Sequence, residues 1–249
     1  MPKEKTRIDQ LLVDRGLSED LTEARALVMS GVVMVNNQKI VKSGTKVSPV
    51  SQISLTKSYK KYASRGALKL KGALDQLGIS PDGRICVDVG ASTGGFTDIL
   101  LQYGAARVYA FDVGYGQMIS RLRNDPRVKV QDRFNIKEIT PADTGNSQNL
   151  FIVIDVSFIS LKSVLPALRK LKTQPETVIE ILALLKPQFE ARESELENGI
   201  VRDREAHFRI LKNILRYIKN DLAGKISGLT ASPVRGKDGN TEFFIHMYL

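Results

Sequence analysis

Residues 87–98 read Val-Asp-Val-Gly-Ala-Ser-Thr-Gly-Gly-Phe-Thr-Asp. An apolar run, RICVDV, leads into this stretch, and a helical pattern, FTDILLQ, leads out of it. A glycine-rich turn between a strand and a helix marks the first unit of an α/β fold, and ligands bind at such turns. Three familiar spellings half-fit. A phosphate-binding loop requires a lysine where Phe96 stands, so nucleoside triphosphate hydrolysis is disfavoured. The string GASTG matches a nucleophile elbow, which needs a histidine base. The two histidines, His207 and His246, fall in an amphipathic helical segment and a terminal strand, where a structural role is expected. The dinucleotide fingerprint is broken by Ser92, which occupies the place of its second glycine.

A glycine-rich turn remains, with an acid at the end of the next strand. Asp112 closes RVYAFD, 22 residues after Gly90. A carboxylate there can accept hydrogen bonds from two vicinal ribose hydroxyls. The loop's N–H groups can bind a carboxylate, and its glycines let the backbone come close. A nucleoside with an amino-acid tail and no phosphates suits this pair of features, and S-adenosylmethionine is such a ligand.

Beyond this turn, residues 66–249 alternate helix and strand. Strands are predicted near 84–89, 107–112, 128–131, 150–155 and 178–185, and helices near 67–77, 97–103, 116–124, 161–172 and 204–221. Two more strands, near 225–231 and 242–248, finish the chain as an antiparallel pair around SPVRGKDGN. The fold class is α/β, with a parallel sheet covered on both faces. Strand-end charges converge in such a sheet. Asp155 follows LFIVI, and Lys186 follows ILALL and precedes Pro187. Lys69 lies in the basic helix before the first strand, and Glu242 follows Gly239-Asn240.

Residues 1–56 read as a small α+β unit. Ile8, Leu11 and Leu12 mark a helix ended by Gly16; Thr22 is the expected cap of a second, TEARALVMS, ended by Gly31. Asn36-Asn37 suits a tight turn between two short strands, and Lys46–Leu55 offers another strand beside Pro49. A basic linker, 57–65, follows. Six basic residues and no acid lie between Lys57 and Lys71, with Tyr59 and Tyr62 interleaved. Such a stretch can stack on bases or simply separate two domains.

The whole chain has 249 residues, 37 basic against 27 acidic, and a net charge of +10. That balance points to an anionic partner, nucleic acid before membrane. Cys86 is the one cysteine and reads as a core residue, so neither a disulfide framework nor a cysteine metal cluster is expected, and a reducing cytosol fits. No secretory signal and no apolar run near the ~18 residues of a bilayer span is visible.

The segments RIDQLLVDRGL, EARALVMSGVVMVN, SRGALKL, VDVGASTGGFTD, DVGYGQ, IDVSFISL, LLKPQFE, NGIVRD and SPVRGKDGNTEF, in this order, resemble the hemolysin A/TlyA family. The resemblance implies an S4-type RNA-binding domain joined to a Rossmann-like, FtsJ-like methyltransferase domain. It implies S-adenosylmethionine as cofactor and 2′-O-methylation of ribose, typically of cytidine in ribosomal RNA. It also implies a Lys-Asp-Lys-Glu tetrad, matched by Lys69, Asp155, Lys186 and Glu242. Gly90, Ser92, Gly94, Gly95 and Phe96 would hold the methionine part, Asp112 the ribose, and Asn135 the adenine side. Lys186 would act on the 2′-hydroxyl as a neutral base or as a steering cation; Lys69 and burial favour the first, Asp155 the second. Arg7, Arg15, Arg25, Lys39, Lys60, Lys61 and Arg65 are candidate RNA contacts, without a metal. A ribosome-assembly module with an idle cofactor site and a membrane-lysing protein are the rival readings, and the oligomeric state is open.

Overall fold

The structure is a computed structural model that describes residues 5–18, 20–56, 62–236 and 239–249. Lys60 and Lys61 lie outside the described residues.

In the N-terminal unit, β1 (Thr6–Arg7) leads into α1 (Ile8–Asp14), followed by α2 (Leu21–Met29), β2 (Val33–Val35), β3 (Gln38–Ile40), β4 (Lys46–Val47) and β5 (Ile53–Leu55). Ile8, Leu12, Leu27, Val28 and Val33 are its buried centre. Asn36 and Asn37 both take positive φ (48° and 63°), the geometry of a two-residue hairpin turn. Two local expectations change. The cap of α2 is Asp20, not Thr22: its carboxylate accepts from Glu23 N at 2.8 Å. Residues 46–55 do not form one strand. β4 pairs with β1, β5 pairs with β2, and a turn at Ser48–Ser51 separates them. Pro49, with no N–H to give a ladder, sits in that turn.

The larger unit comprises α3 (Gly66–Leu77), β6 (Ile85–Val89), α4 (Gly95–Gln102), β7 (Arg107–Phe111), α5 (Ser120–Arg123), β8 (Val128–Gln131), β9 (Asn149–Ile154), α6 (Leu161–Arg169), β10 (Val178–Leu185), α7 (Arg204–Asn220), β11 (Lys225–Ala231) and β12 (Phe243–Tyr248). Its sheet runs β11-β12-β10-β9-β6-β7-β8. β12 is antiparallel to both β10 and β11, whereas β10, β9, β6, β7 and β8 are mutually parallel. One core, around Ile152, Ile181, Leu165 and Ile214, fills one face; the other, around Leu70, Leu74, Leu100, Phe151 and Phe244, fills the opposite face. The chain moves outward from β6 to β8 and returns to β9 on the other side of β6. That reversal opens a crevice at the carboxyl ends of β6 and β9.

Two boundaries move. The helix expected over 116–124 is confined to Ser120–Arg123, because Gly116 takes φ 64° and Ile119 is extended. The packed unit also begins before residue 66: Tyr62 and Ala63 are buried in its core, and Ala63 N donates to Asp98 Oδ2 at 2.6 Å. The two units touch where Ser120 Oγ donates to Asp20 Oδ2 at 2.9 Å.

Candidate active site

The turn after β6 is built around missing side chains. A Cβ on Gly90, whose φ is 85°, would stand 2.5 Å from the carbonyl oxygen of Asp155. Glycine therefore lets the β6 and β9 exits close on each other. A Cβ on Gly95 would meet Ser64 Oγ at 2.2 Å, so its absence lets the entry to α3 seat on the turn. Behind the turn, buried Asp88 accepts from Thr97 N at 2.9 Å and Thr97 Oγ1 at 2.7 Å, which ties β6 to the first turn of α4. Burial, opposed by the Thr97 hydrogen bonds and reinforced by the charges of Asp155 and Asp112, pushes the Asp88 carboxyl up to about 7.

Two clefts open at this edge. The larger, about 460 Å³, is walled by Phe111, Phe134, Ile136, Ile159 and Val164, with Asp112 and Asn135 as polar points. Phe111 and Phe134 pack at 4.9 Å between centroids. Asp112 is oriented by Gly114 N at 2.7 Å and Ser92 N at 2.8 Å, and Ser92 Oγ donates to Gln117 at 3.0 Å. Asn135 Oδ1 accepts from Lys137 N, which fixes that side chain at the rim. The second cleft, about 380 Å³, lies between Lys69, Arg65 and Phe96 on one side and Met29 and Ser30 of the N-terminal unit on the other. Gly90, Ser92 and Asp155 line both clefts, so the two meet at these residues.

The four charged candidates form two ion pairs, each with one member in a cleft wall: Asp155 lines both clefts and Lys69 the second, while Lys186 and Glu242 line neither. Lys69 Nζ donates to Glu242 Oε2 at 2.6 Å, with the side chains 11% and 2% exposed. Lys186 Nζ is 2.7 Å from Asp155 Oδ1 and donates to Ser157 Oγ at 2.8 Å. Asp155 Oδ1 receives no hydrogen bond among the described residues, so its contact with Lys186 is one of charge and distance. Lys69 and Asp155 line the same cleft.

Other sequence candidates separate. Gly94 reaches neither cleft: its Cβ would strike Leu122 Cδ1 at 2.4 Å, so this glycine serves the packing of α5 on the turn. Phe96 is buried and borders the second cleft, its ring 6.1 Å from that of Phe244. Arg7 and Arg25 converge on buried Asp9 at 2.6 and 3.3 Å. The Arg7 hydrogen bonds lead in holding the Asp9 carboxyl below its ordinary range, against burial. Arg15 is committed to the carbonyls of Pro49 and Ser51, and ties α1 to that turn. Lys39 is exposed on β3, and Arg65 lines the second cleft. Sequence reasoning missed Ser157 as the second partner of Lys186, the Asp88–Thr97 tie, and Met29 and Ser30 as a wall. The first two stand in quoted segments, IDVSF and VDVGASTGGFT; the wall is visible only once the two units are placed together.

A parallel sheet with one reversed strand, and an apolar cleft with an oriented acid at its switch point, defines an α/β protein of the methyltransferase class. The chain belongs to the FtsJ-like methyltransferase family, whose model matches residues 62–249. It is 43% identical over 250 residues to YqxC of Bacillus subtilis, covering 100% of this chain and 87% of that one. It is 42% identical over 243 residues to the 16S/23S rRNA (cytidine-2′-O)-methyltransferase TlyA of Mycobacterium tuberculosis, covering 97% of this chain and 89% of the relative. A solved structure from Streptococcus thermophilus bearing the hemolysin name superposes with a TM-score of 0.74 at 39% identity, over 98% of this chain and 88% of that one.

Proposed function

We propose that this protein methylates the ribose 2′-hydroxyl of cytidine in ribosomal RNA, with S-adenosylmethionine as methyl donor. The observation that carries the proposal is the meeting of two clefts at Asp155, flanked by the Lys69–Glu242 and Asp155–Lys186 pairs. The donor set fits a phosphate-free nucleoside. The larger cleft offers apolar walls for an adenine, Asp112 for a ribose diol and Asn135 for a ring edge. Gly90, Ser92 and Gly95 border the passage toward the second cleft, where an amino-acid tail would lie. Phe96 stiffens that wall, and Gly94 contributes through packing.

When bound, the cofactor supplies a sulfonium methyl, an electrophile that needs no metal. The chain's own residues then have to present a ribose oxygen in line. Lys186 Nζ, fixed between Asp155 and Ser157, is the group that steers that oxygen. Lys69, held by Glu242, closes the other side. Two anchored ion pairs hold such a geometry, and positioning of this kind supplies much of a rate acceleration. Asp155 Oδ1 is buried against Lys186, so the rest of its carboxylate is the part that faces the ribose hydroxyl.

The N-terminal unit acts in this reading as an S4-type RNA-binding domain. Arg7, Arg25, Lys39, Lys60, Lys61 and Arg65 would contribute positive charge, whereas Arg15 supports the unit from within. The net charge of +10 supports an RNA partner. Among the described residues no helix is long and apolar enough to cross a membrane. Work on ribosomal RNA belongs in the cytoplasm. Incubation of the wild type and of Asp155→Ala with labelled S-adenosylmethionine and ribosomal subunits tests the proposal. Label should enter RNA with the wild type alone; equal incorporation by the variant would contradict the assignment.

A further inference from the structure

Behind the loop that carries Glu242 lies a recess of about 310 Å³ that the proposed reaction does not use. Arg202, His207, Arg235 and Thr241 contribute side chains to it, and no carboxylate among the described residues lines it. Arg235 is exposed and makes no ion pair among the described residues. Arg202 touches Glu197 at 3.2 Å, but both side chains are well exposed, 62% and 70%, so that pair is weak. His207 Nδ1 faces the Asp203 carbonyl at 2.9 Å. A carbonyl only accepts, so Nδ1 carries a proton, and buried Nε2 is left without a hydrogen-bond partner. With Nδ1 protonated, Nε2 is an acceptor, so the donors that the recess offers are Arg202, Arg235 and Thr241.

The recess is built rather than incidental. Buried Asn240 accepts from Val201 N at 3.0 Å and donates to the carbonyl of Gly199 at 3.0 Å, which locks the segment carrying Arg202 to the one carrying Arg235. Gly236 N donates to the Asn240 carbonyl at 2.9 Å, and Ser232 N to the Glu242 carbonyl at 2.8 Å. Thr241 therefore lines the recess while its neighbour Glu242 reaches Lys69 at the cleft.

We infer that this recess binds a backbone phosphate of the RNA substrate, from a nucleotide close to the methylated one. Paired guanidinium forks match phosphate oxygens, and the Thr241 hydroxyl adds a neutral donor. The inference rests on the reading of the substrate as RNA. Its consequence is that RNA affinity depends on Arg202 and Arg235 although neither lies at the reacting atoms.

Binding of purified ribosomal RNA to the full-length wild type, Arg202→Ala/Arg235→Ala and Arg202→Lys/Arg235→Lys, measured against salt concentration, tests it. Each lost phosphate contact reduces the log–log salt slope by about one. The alanine pair should flatten the slope by ~1 to 2 and raise KM for ribosomal subunits about tenfold or more, with cofactor affinity unchanged. The lysine pair should keep most of the slope. An unchanged slope and KM in the alanine pair would overturn the inference, as would a defect confined to binding of inorganic phosphate. If the alanine pair melts early or loses cofactor affinity, Arg235→Ala alone decides by the same slope. A wild type that binds RNA but never transfers a methyl would sink the proposed function, while the slope comparison would still decide the recess.

Discussion

Lys69→Met separates what the Lys69–Glu242 pair does for stability from what it does for chemistry. Glu242 is 2% exposed and its partner 11%, so neither charge is well solvated. Removing the lysine leaves a carboxylate with its desolvation unrelieved, and breaking a buried pair in this way costs about 3–5 kcal/mol. For a chain of this size each kcal/mol lowers Tm by roughly 2–4 °C, so a fall of roughly 6–20 °C is expected. Replacing both partners with apolar residues of similar volume, Lys69→Met/Glu242→Leu, removes the stranded charge and should restore most of that stability. Urea denaturation of the four proteins in a double-mutant cycle gives the coupling energy, which should exceed about 3 kcal/mol. Methyl transfer should be lost in all three variants, including the one whose stability returns. Additive single effects of less than about 1 kcal/mol each would refute the claim of a buried, coupled pair. Full transfer by the double variant would refute its role at the site.

Lys186→Ala should abolish methyl transfer while calorimetry shows cofactor affinity within about threefold of wild type, because Lys186 touches Asp155 and Ser157 and lines neither cleft wall. Asp112→Asn should weaken cofactor binding by roughly 10- to 100-fold, the worth of a charged hydrogen bond; a direct titration checks this, and unchanged affinity would remove Asp112 from the cleft's function. Asp88 titrates near 7 in the fold against an ordinary 3.8. A raised pKa means the folded state holds the proton longer, so this group's stabilisation is present at pH 4 and lost as pH rises to 7. Asp88→Asn abolishes that loss: its stability relative to wild type should climb by up to about 4 kcal/mol between pH 4 and 8. A constant difference across that range would show that Asp88 is ionised throughout.

Features governed by local backbone chemistry were legible in the sequence. The Asn36-Asn37 turn and the glycine-rich turn each depend on a few adjacent residues with positive φ. The parallel strands were legible because burial on both faces leaves continuous apolar runs, and Asp112, Asp155 and Lys186 because those runs end in them. Where two local signals competed, the reading failed. Thr22 and Asp20 both suit a cap, and the start of α2 at Leu21 selects Asp20. The helix expected over 116–124 starts only at Ser120, because the chain bends through Gly116 and Ile119 is extended, which lets Ile119 N reach the Thr93 carbonyl. Partnership was the least legible property. Lys69 and Glu242 are 173 positions apart, and no spacing rule joins them. The arginines assigned to RNA were chosen by charge, which does not reveal that Arg15 is committed to two carbonyls or that Arg7 and Arg25 share Asp9. Arg202 and Arg235 went unread because a recess has no signature in sequence.

Ribosomal RNA labelled by the wild type can be digested to nucleosides and resolved by mass spectrometry, with alkaline hydrolysis to report the position of the methyl. Substitution of the 2′-oxygen blocks alkaline cleavage at that linkage. Label recovered as a cytidine methylated on its ribose, in an alkali-resistant dinucleotide, is the expected result. Label on a base, or no label in RNA from a protein that binds S-adenosylmethionine, would contradict it.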